Sequence, residues 1–279
     1  MDAVEVRGLR KAYGDTVAVD GVDLSVAPGE VFALLGPNGA GKTTTIEILE
    51  GYRPRDAGTV SVLGEDPATA GADWRARVGM VLQTSGEFDA LTVGEVVNHF
   101  AGFYPGSDDA DAVIERVGLT DKRNARTHAL SGGQKRRLDV ALGIVGRPEL
   151  LFLDEPTTGF DPQARLDFWQ LIRDLAADGA TILLTSHYLH EAEALADRVG
   201  VMRGGRVVAV APPAELGGRA TAAAVVSWQT PDGVSETVTD APTALVRQLS
   251  ERFGGEVPGL TVNRPTLEDV YLRMIGGQA

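Results

Sequence analysis

Short apolar runs alternate with helix-length amphipathic stretches over most of this chain. Near its start, "AVEVRGL" and "TVAVDGVDLSVAPGE" alternate apolar and polar positions between turn residues, the pattern of half-buried strands in a small sheet. "VFALL" is short and apolar throughout, as a strand covered on both faces must be. It runs into a glycine-rich loop, after which "TTTIEILEGY" has the spacing of a helix. "GTVSVLGE" reads as a hairpin and "RVGMVLQ" as a short apolar strand ending at Gln83. From about residue 84 to 146 the spacing turns helical, in "TVGEVVNHFAGFY", "SDDADAVIERVG" and "GGQKRRLDVALGIV", which predicts an inserted helical subdomain.

Three further apolar runs, "ELLFLDEP", "ATILLTSH" and "RVGVMRGGRVVAV", are separated by the helical stretches "PQARLDFWQLIRDLAAD" and "YLHEAEALAD". Strands alternating with helices predict an α/β fold with a mainly parallel sheet covered on both faces. Past Pro213 the chain loosens into Ala, Gly, Thr and Val, then offers two strands, the helix "APTALVRQLSERF" and a final "LTVNRPTLEDVYLRMIG". This predicts a first domain over 1–215 and a small α/β appendage over 216–279. No repeat of fixed period is present.

The loop after "VFALL" reads Gly36-Pro37-Asn38-Gly39-Ala40-Gly41-Lys42-Thr43, with Thr44 next, a full match to the phosphate-loop pattern between a strand and a helix. Glycines let backbone N–H groups wrap phosphates, Lys42 can reach the outer ones, and the Thr43 hydroxyl can ligate Mg²⁺. "LLFLDE" ends an apolar strand in Asp154 and Glu155, at the carboxyl edge where open α/β sheets bind ligands. Asp154 would hold Mg²⁺ and Glu155 would polarise an attacking water; the alternative is that either caps the turn-rich "DEPTTGFDP". His187 ends "ATILLTSH" at the same edge, where it can reach a γ-phosphate. Gln83, a neutral amide at a strand end, can contact Mg²⁺ and water.

A second anion-gripping stretch is "ALSGGQKRRLDVAL". Ser131, Gly132, Gly133 and Gln134 stand at a helix start, where free N–H groups and the helix dipole favour an anion. Without a phosphate-reaching lysine or a metal hydroxyl, it looks like half of a site. Two copies arranged head to tail would each close the other's phosphate loop, with ATP between them and twofold symmetry overall. On this helix Leu138, Ala141 and Leu142 are expected to face inward, while Lys135, Arg136 and Arg137 are expected to form a solvated face.

Composition narrows the choices further. Of 279 residues, 43% are apolar and 23% charged, a globular balance. A net charge of −13 disfavours binding to nucleic acid through summed positive charge. There is no cysteine, so disulfides and thiolate metal sites are excluded. The N-terminal "MDAVEVRGLRKAYG" does not resemble a secretory signal, and no apolar stretch approaches the ~20 residues that span a bilayer.

The phosphate loop, Gln83, "LSGGQ", "LLFLDEP", "GFDP" and His187, in that order and spacing, resemble the nucleotide-binding subunit of an ATP-binding cassette (ABC) transporter, over residues 1 to about 215. The resemblance implies a phosphate-loop NTPase core with an N-terminal antiparallel β-subdomain. It also implies an ATPase using Mg²⁺, a homodimer, and a separate transmembrane permease that the subunit joins at the cytoplasmic face of the membrane. Tyr13 matches the aromatic that stacks on adenine, and Asp161 the loop that touches the opposite subunit; Phe160 departs from the leucine more usual before that aspartate. The segment after Gln83 resembles the surface that grips the permease. "TLEDVYLRMIG" is similar to the tail of ABC-2 cassettes that drive export of drugs and polysaccharides. Two alternatives, a soluble cassette acting on ribosomes or DNA and a non-hydrolysing regulatory cassette, fit less well: the first usually has two cassettes, zinc cysteines or long insertions, and the second lacks the intact Lys42, Asp154, Glu155 and His187 seen here.

Overall fold

The computed structural model describes residues 1–81 and 88–276. Contacts divide the chain into two units, Met1–Val210 and Ala211–Ala279.

The first unit opens with β1 (Val4–Tyr13), β2 (Thr16–Val26), β3 (Val31–Leu35), α1 (Lys42–Leu49), β4 (Ala57–Val62), α2 (Ala72–Ala76) and β5 (Val78–Val81). Three helices follow, α3 (Val93–Ala101), α4 (Ala110–Arg116) and α5 (Gly132–Ile144), and then β6 (Leu150–Asp154), α6 (Pro162–Ala177), β7 (Thr181–Ser186), α7 (Leu189–Leu195), β8 (Arg198–Arg203) and β9 (Arg206–Ala211).

Two sheets result. β1 pairs antiparallel with both β2 and β4, and the buried valines alternate along them as the sequence pattern requires. The larger sheet has the order β5-β6-β7-β3-β8-β9, with parallel pairing from β5 through β8. β3 lies inside it and all five of its residues are buried, which is why its sequence lacks alternation. One apolar cluster joins both sheets: Leu9 and Val60 from the small sheet, Phe32 and Phe152 from the large one, and Trp74 from α2. The Trp74 indole N–H is satisfied by the Val62 carbonyl at 2.9 Å, so this large side chain is buried without an unpaired donor.

Registers decide where the chemistry can sit. Leu35 stands opposite Ser186, and Asp154 opposite Thr185, so β3, β6 and β7 finish level at one edge. The helices between β5 and β6 are well terminated. A reciprocal pair of bonds between Thr92 and Glu95 starts α3, and one between Ser131 and Gln134 starts α5, each satisfying two otherwise free N–H groups.

In the second unit, β10 (Ala224–Thr230) lies between β11 (Gly233–Thr239), α8 (Pro242–Phe253) following in the chain, and β12 (Thr261–Asn263), with α9 (Leu267–Gly276) last. Val226 and Trp228 of β10 bury one face of this sheet with Leu249 of α8 and Val257. Among the described residues no helix is long and apolar enough to cross a membrane.

Candidate functional site

The loop between β3 and α1 is built for close backbone approach. A Cβ at Gly36 would lie 2.5 Å from the Met202 carbonyl oxygen, and one at Gly41 would lie 2.3 Å from that of Ala18. Gly41 also has φ of 101°, a conformation side chains rarely adopt. Lys42 is only 6% exposed, and its ammonium donates to the Gly36 carbonyl at 2.7 Å and the Pro37 carbonyl at 3.3 Å. Burial pulls its pKa below the ordinary lysine value, opposed by the nearby charges of Glu155 and Asp154.

The level strand ends bring the carboxylates to this loop. A cleft of about 620 Å³ is lined by Asn38 to Thr44 together with Glu155, and by Thr16 and Ala18 of β2. Tyr13 pairs with Thr16 across the β1–β2 turn, which places the tyrosine beside the cleft. Tyr13 is 42% exposed, with the Arg53 guanidinium 5.3 Å and the Lys11 ammonium 5.6 Å from the centre of its ring. His187 Nδ1 is 3.3 Å from Glu155 Oε2, and its ring stacks against Tyr188 at 4.1 Å.

Thr185 ties the acidic pair together. Its hydroxyl donates to Asp154 Oδ1 and accepts the Glu155 N–H at 3.1 Å. Glu155 itself has φ of 44°, so its carboxylate is presented from a left-handed turn.

The other expected residues lie elsewhere in the chain. Ser131, Gly132, Gly133, Gln134 and Asp161 do not line the Lys42 cleft. Ser131 and Gly132 are exposed, and a Cβ at Gly132 would meet nothing within 4 Å. The Gln134 side-chain oxygen accepts the Ser131 N–H at 3.0 Å, so it completes the helix cap. Asp161 caps α6, accepting the Ala164 N–H at 2.9 Å ahead of Pro162. Phe160 is buried edge-on against Phe168 of α6 at 5.6 Å, which anchors the "GFDP" turn. Gln83 lies outside the described residues. Beyond it, Phe88 and Phe103 both pack edge-on to Phe100, with Phe103 exposed.

One expectation fails. Arg136 does not belong to a solvated face: it is 8% exposed, and its guanidinium donates to the carbonyls of Asp154 and Pro156 at 2.8 and 3.0 Å. Helical spacing carries the reason, because Arg136 shares a face with buried Val140 and Ile144 at intervals of four. Thr185 leaves only a weak mark in the sequence, one hydroxyl among three in the strand "TILLTS".

The ABC transporter family profile matches residues 19–158. The chain is 38% identical over 304 residues to the daunorubicin resistance ATP-binding protein DrrA3 of Streptomyces coeruleorubidus, covering 98% of this chain and 96% of that protein. It belongs to the ABC transporter family. Another relative of this cassette is the Nod factor export ATP-binding protein I of Paraburkholderia xenovorans, 39% identical over 296 residues, with 98% and 97% coverage. Among solved structures, the ATP-binding subunit of an ABC transporter superposes on the cassette with a TM-score of 0.69 at 28% identity, covering 77% of this chain and 91% of that one. A nucleotide-free ATP-binding cassette gives a TM-score of 0.68 at 25% identity, with 76% and 92% coverage.

Proposed function

We propose that this cassette hydrolyses ATP as a homodimer around two nucleotides and so powers a separate transmembrane permease, in the direction of export. The observation that carries the reading is the division of parts: Lys42, Thr43 and Glu155 share one cleft, whereas Ser131 caps its helix outside it. Hydrolysis needs both halves, and a second copy supplies the missing one.

Each residue then has a task. The N–H groups from Gly36 to Thr44 wrap the phosphates, Lys42 neutralises the outer ones, and Tyr13 offers its ring to adenine. Glu155 orients and polarises the attacking water, while His187 hydrogen-bonds the γ-phosphate. Ser131, Gly132, Gly133 and Gln134 of one copy face the nucleotide of the other, with Asp161 near the contact.

The Thr43 hydroxyl and the Asp154 carboxylate are hard oxygen donors suited to Mg²⁺, which keeps waters and phosphate oxygens for its other positions; Gln83 would join them. Among the described residues no cluster of three acidic or imidazole groups forms a cation cage, and a phosphate-bound Mg²⁺ requires none. When bound, Mg²⁺ neutralises charge on the phosphate oxygens.

Export is supported by relatives named for drug resistance and for Nod factor export. The cargo, whether drug, lipid or polysaccharide, is selected by the membrane chain, against which the aromatic surface at Phe88, Phe100 and Phe103 would rest. We assign 1–215 to the ATPase domain and 216–279 to an appendage.

The absence of cysteine makes a direct test available. Asn38→Cys and Ser131→Cys, combined in a Glu155→Gln background, should cross-link between copies into a covalent dimer with ATP and remain monomeric without it. Equal cross-linking in both conditions, or none, would reject the paired arrangement.

A further inference from the structure

Arg136 is a buried guanidinium on α5, the helix that Ser131 caps, yet it sends two bonds out of that helix to the turn after β6. The carbonyls it binds belong to Asp154 and Pro156, the residues on either side of Glu155. Glu155 occupies a left-handed conformation that side chains rarely adopt and that persists only where its surroundings hold it. Thr185 holds the turn from β7, through the Glu155 N–H and the Asp154 carboxylate. Arg136 holds it from α5. Asp139 lies 3.9 Å from the guanidinium and offsets part of the charge.

Burying a guanidinium is costly unless bonds and countercharge compensate, so mere packing of α5 beside the turn after β6 would be served as well by an apolar side chain. Two carbonyls spaced across one residue call instead for a planar fork with donors in fixed relation.

We infer that Arg136 is a positioning residue for ATP hydrolysis, setting the aim of Glu155 by clamping the carbonyls that bracket it to the helix capped by Ser131. The inference rests on the proposed role of Glu155. In the paired arrangement Ser131 faces the partner's nucleotide, so a shift of α5 there is carried through a stiff fork to Glu155 of the same chain. Each site thus senses whether its neighbour is loaded.

The test uses the full chain with Arg136→Lys and Arg136→Gln, each alone and in the Glu155→Gln background, read by steady-state phosphate release, ATP affinity and melting temperature. Lysine keeps the buried charge but gathers its donors on one nitrogen and so loses the fork, which keeps the test open if the glutamine variant does not fold. Arg136→Lys should lower kcat roughly tenfold to a hundredfold with KM for ATP nearly unchanged, as expected for a misaimed group. In the Glu155→Gln background the same substitution should cost less than about twofold, because no base remains to be aimed. Parental kcat in folded Arg136→Lys, an effect confined to KM, or equal fold-losses in both backgrounds would overturn the inference. A parental rate in Glu155→Gln alone would overturn the base assignment beneath it, a separate result read before any Arg136 variant.

Discussion

His187 Nδ1 and Glu155 Oε2 stand 3.3 Å apart at the ends of β7 and β6, one strand reaching toward the group presented by its neighbour. The pair sets the imidazole against a glutamate that lines the phosphate-loop cleft. His187→Ala should therefore reduce kcat by a factor of about 10² to 10³, the loss typical of one aimed hydrogen-bond donor. ATP affinity should change little, because Lys42 and the loop are untouched. Phosphate release at saturating ATP measures the first expectation and equilibrium nucleotide binding the second.

Lys42 acts earlier. Its ammonium is held 2.7 Å from the Gly36 carbonyl, inside the cradle it would share with phosphate. Removing a charge-assisted bond costs about 1.5–3 kcal/mol, so Lys42→Ala should weaken ATP binding roughly tenfold to a hundredfold. Unchanged affinity in a binding titration would contradict the role given to this side chain.

Thr185→Val keeps nearly the same shape and removes only the hydroxyl. Both the Asp154 carboxylate and the Glu155 N–H then lose a partner in a partly buried place. The expected loss is about 1–3 kcal/mol of stability, together with a fall in kcat. Denaturant unfolding and phosphate release on the same preparation would separate the two effects.

Glu50 ends α1 with 7% exposure, and its pKa is pushed up from the usual carboxylate value to about 8, first by burial, then by the charges of Asp154 and Glu47. The native state therefore keeps a proton that the unfolded chain releases above about pH 4.5. Stability from this group is fully present below that pH and falls as pH rises toward about 8. Glu50→Gln has no such titration. Its melting temperature should gain on the parent between pH 5 and pH 8, by the equivalent of a few kcal/mol at most. A pH-independent difference between the two proteins would show that Glu50 does not titrate in this window.

The phosphate loop was legible because glycine spacing, an apolar strand before it and a helix after it each demand the others. The carboxylates were legible for a similar reason: an apolar run that stops at "DE" has reached the edge of its sheet. The composition of α5 concealed Arg136. Between Lys135 and Arg137 it looks like one cation of three, and only its phase with Val140 and Ile144 distinguishes it. The left-handed turn at Glu155 leaves no trace in residue type, since glycine or asparagine would ordinarily mark such a conformation. Gln134 illustrates a different limit, because the motif that names it for nucleotide also makes it a helix-capping partner of Ser131.

The matched strand endings of β3, β6 and β7 constrain which mutations this protein can survive. Deleting one residue within β6 would draw Asp154 back by about 3.3 Å and turn the remainder of the strand over, exchanging its two faces. Exchanges of one aliphatic for another leave the length alone. Lineages of this cassette can therefore drift freely in the letters of these strands, yet insertions and deletions must be relegated to the connections between them.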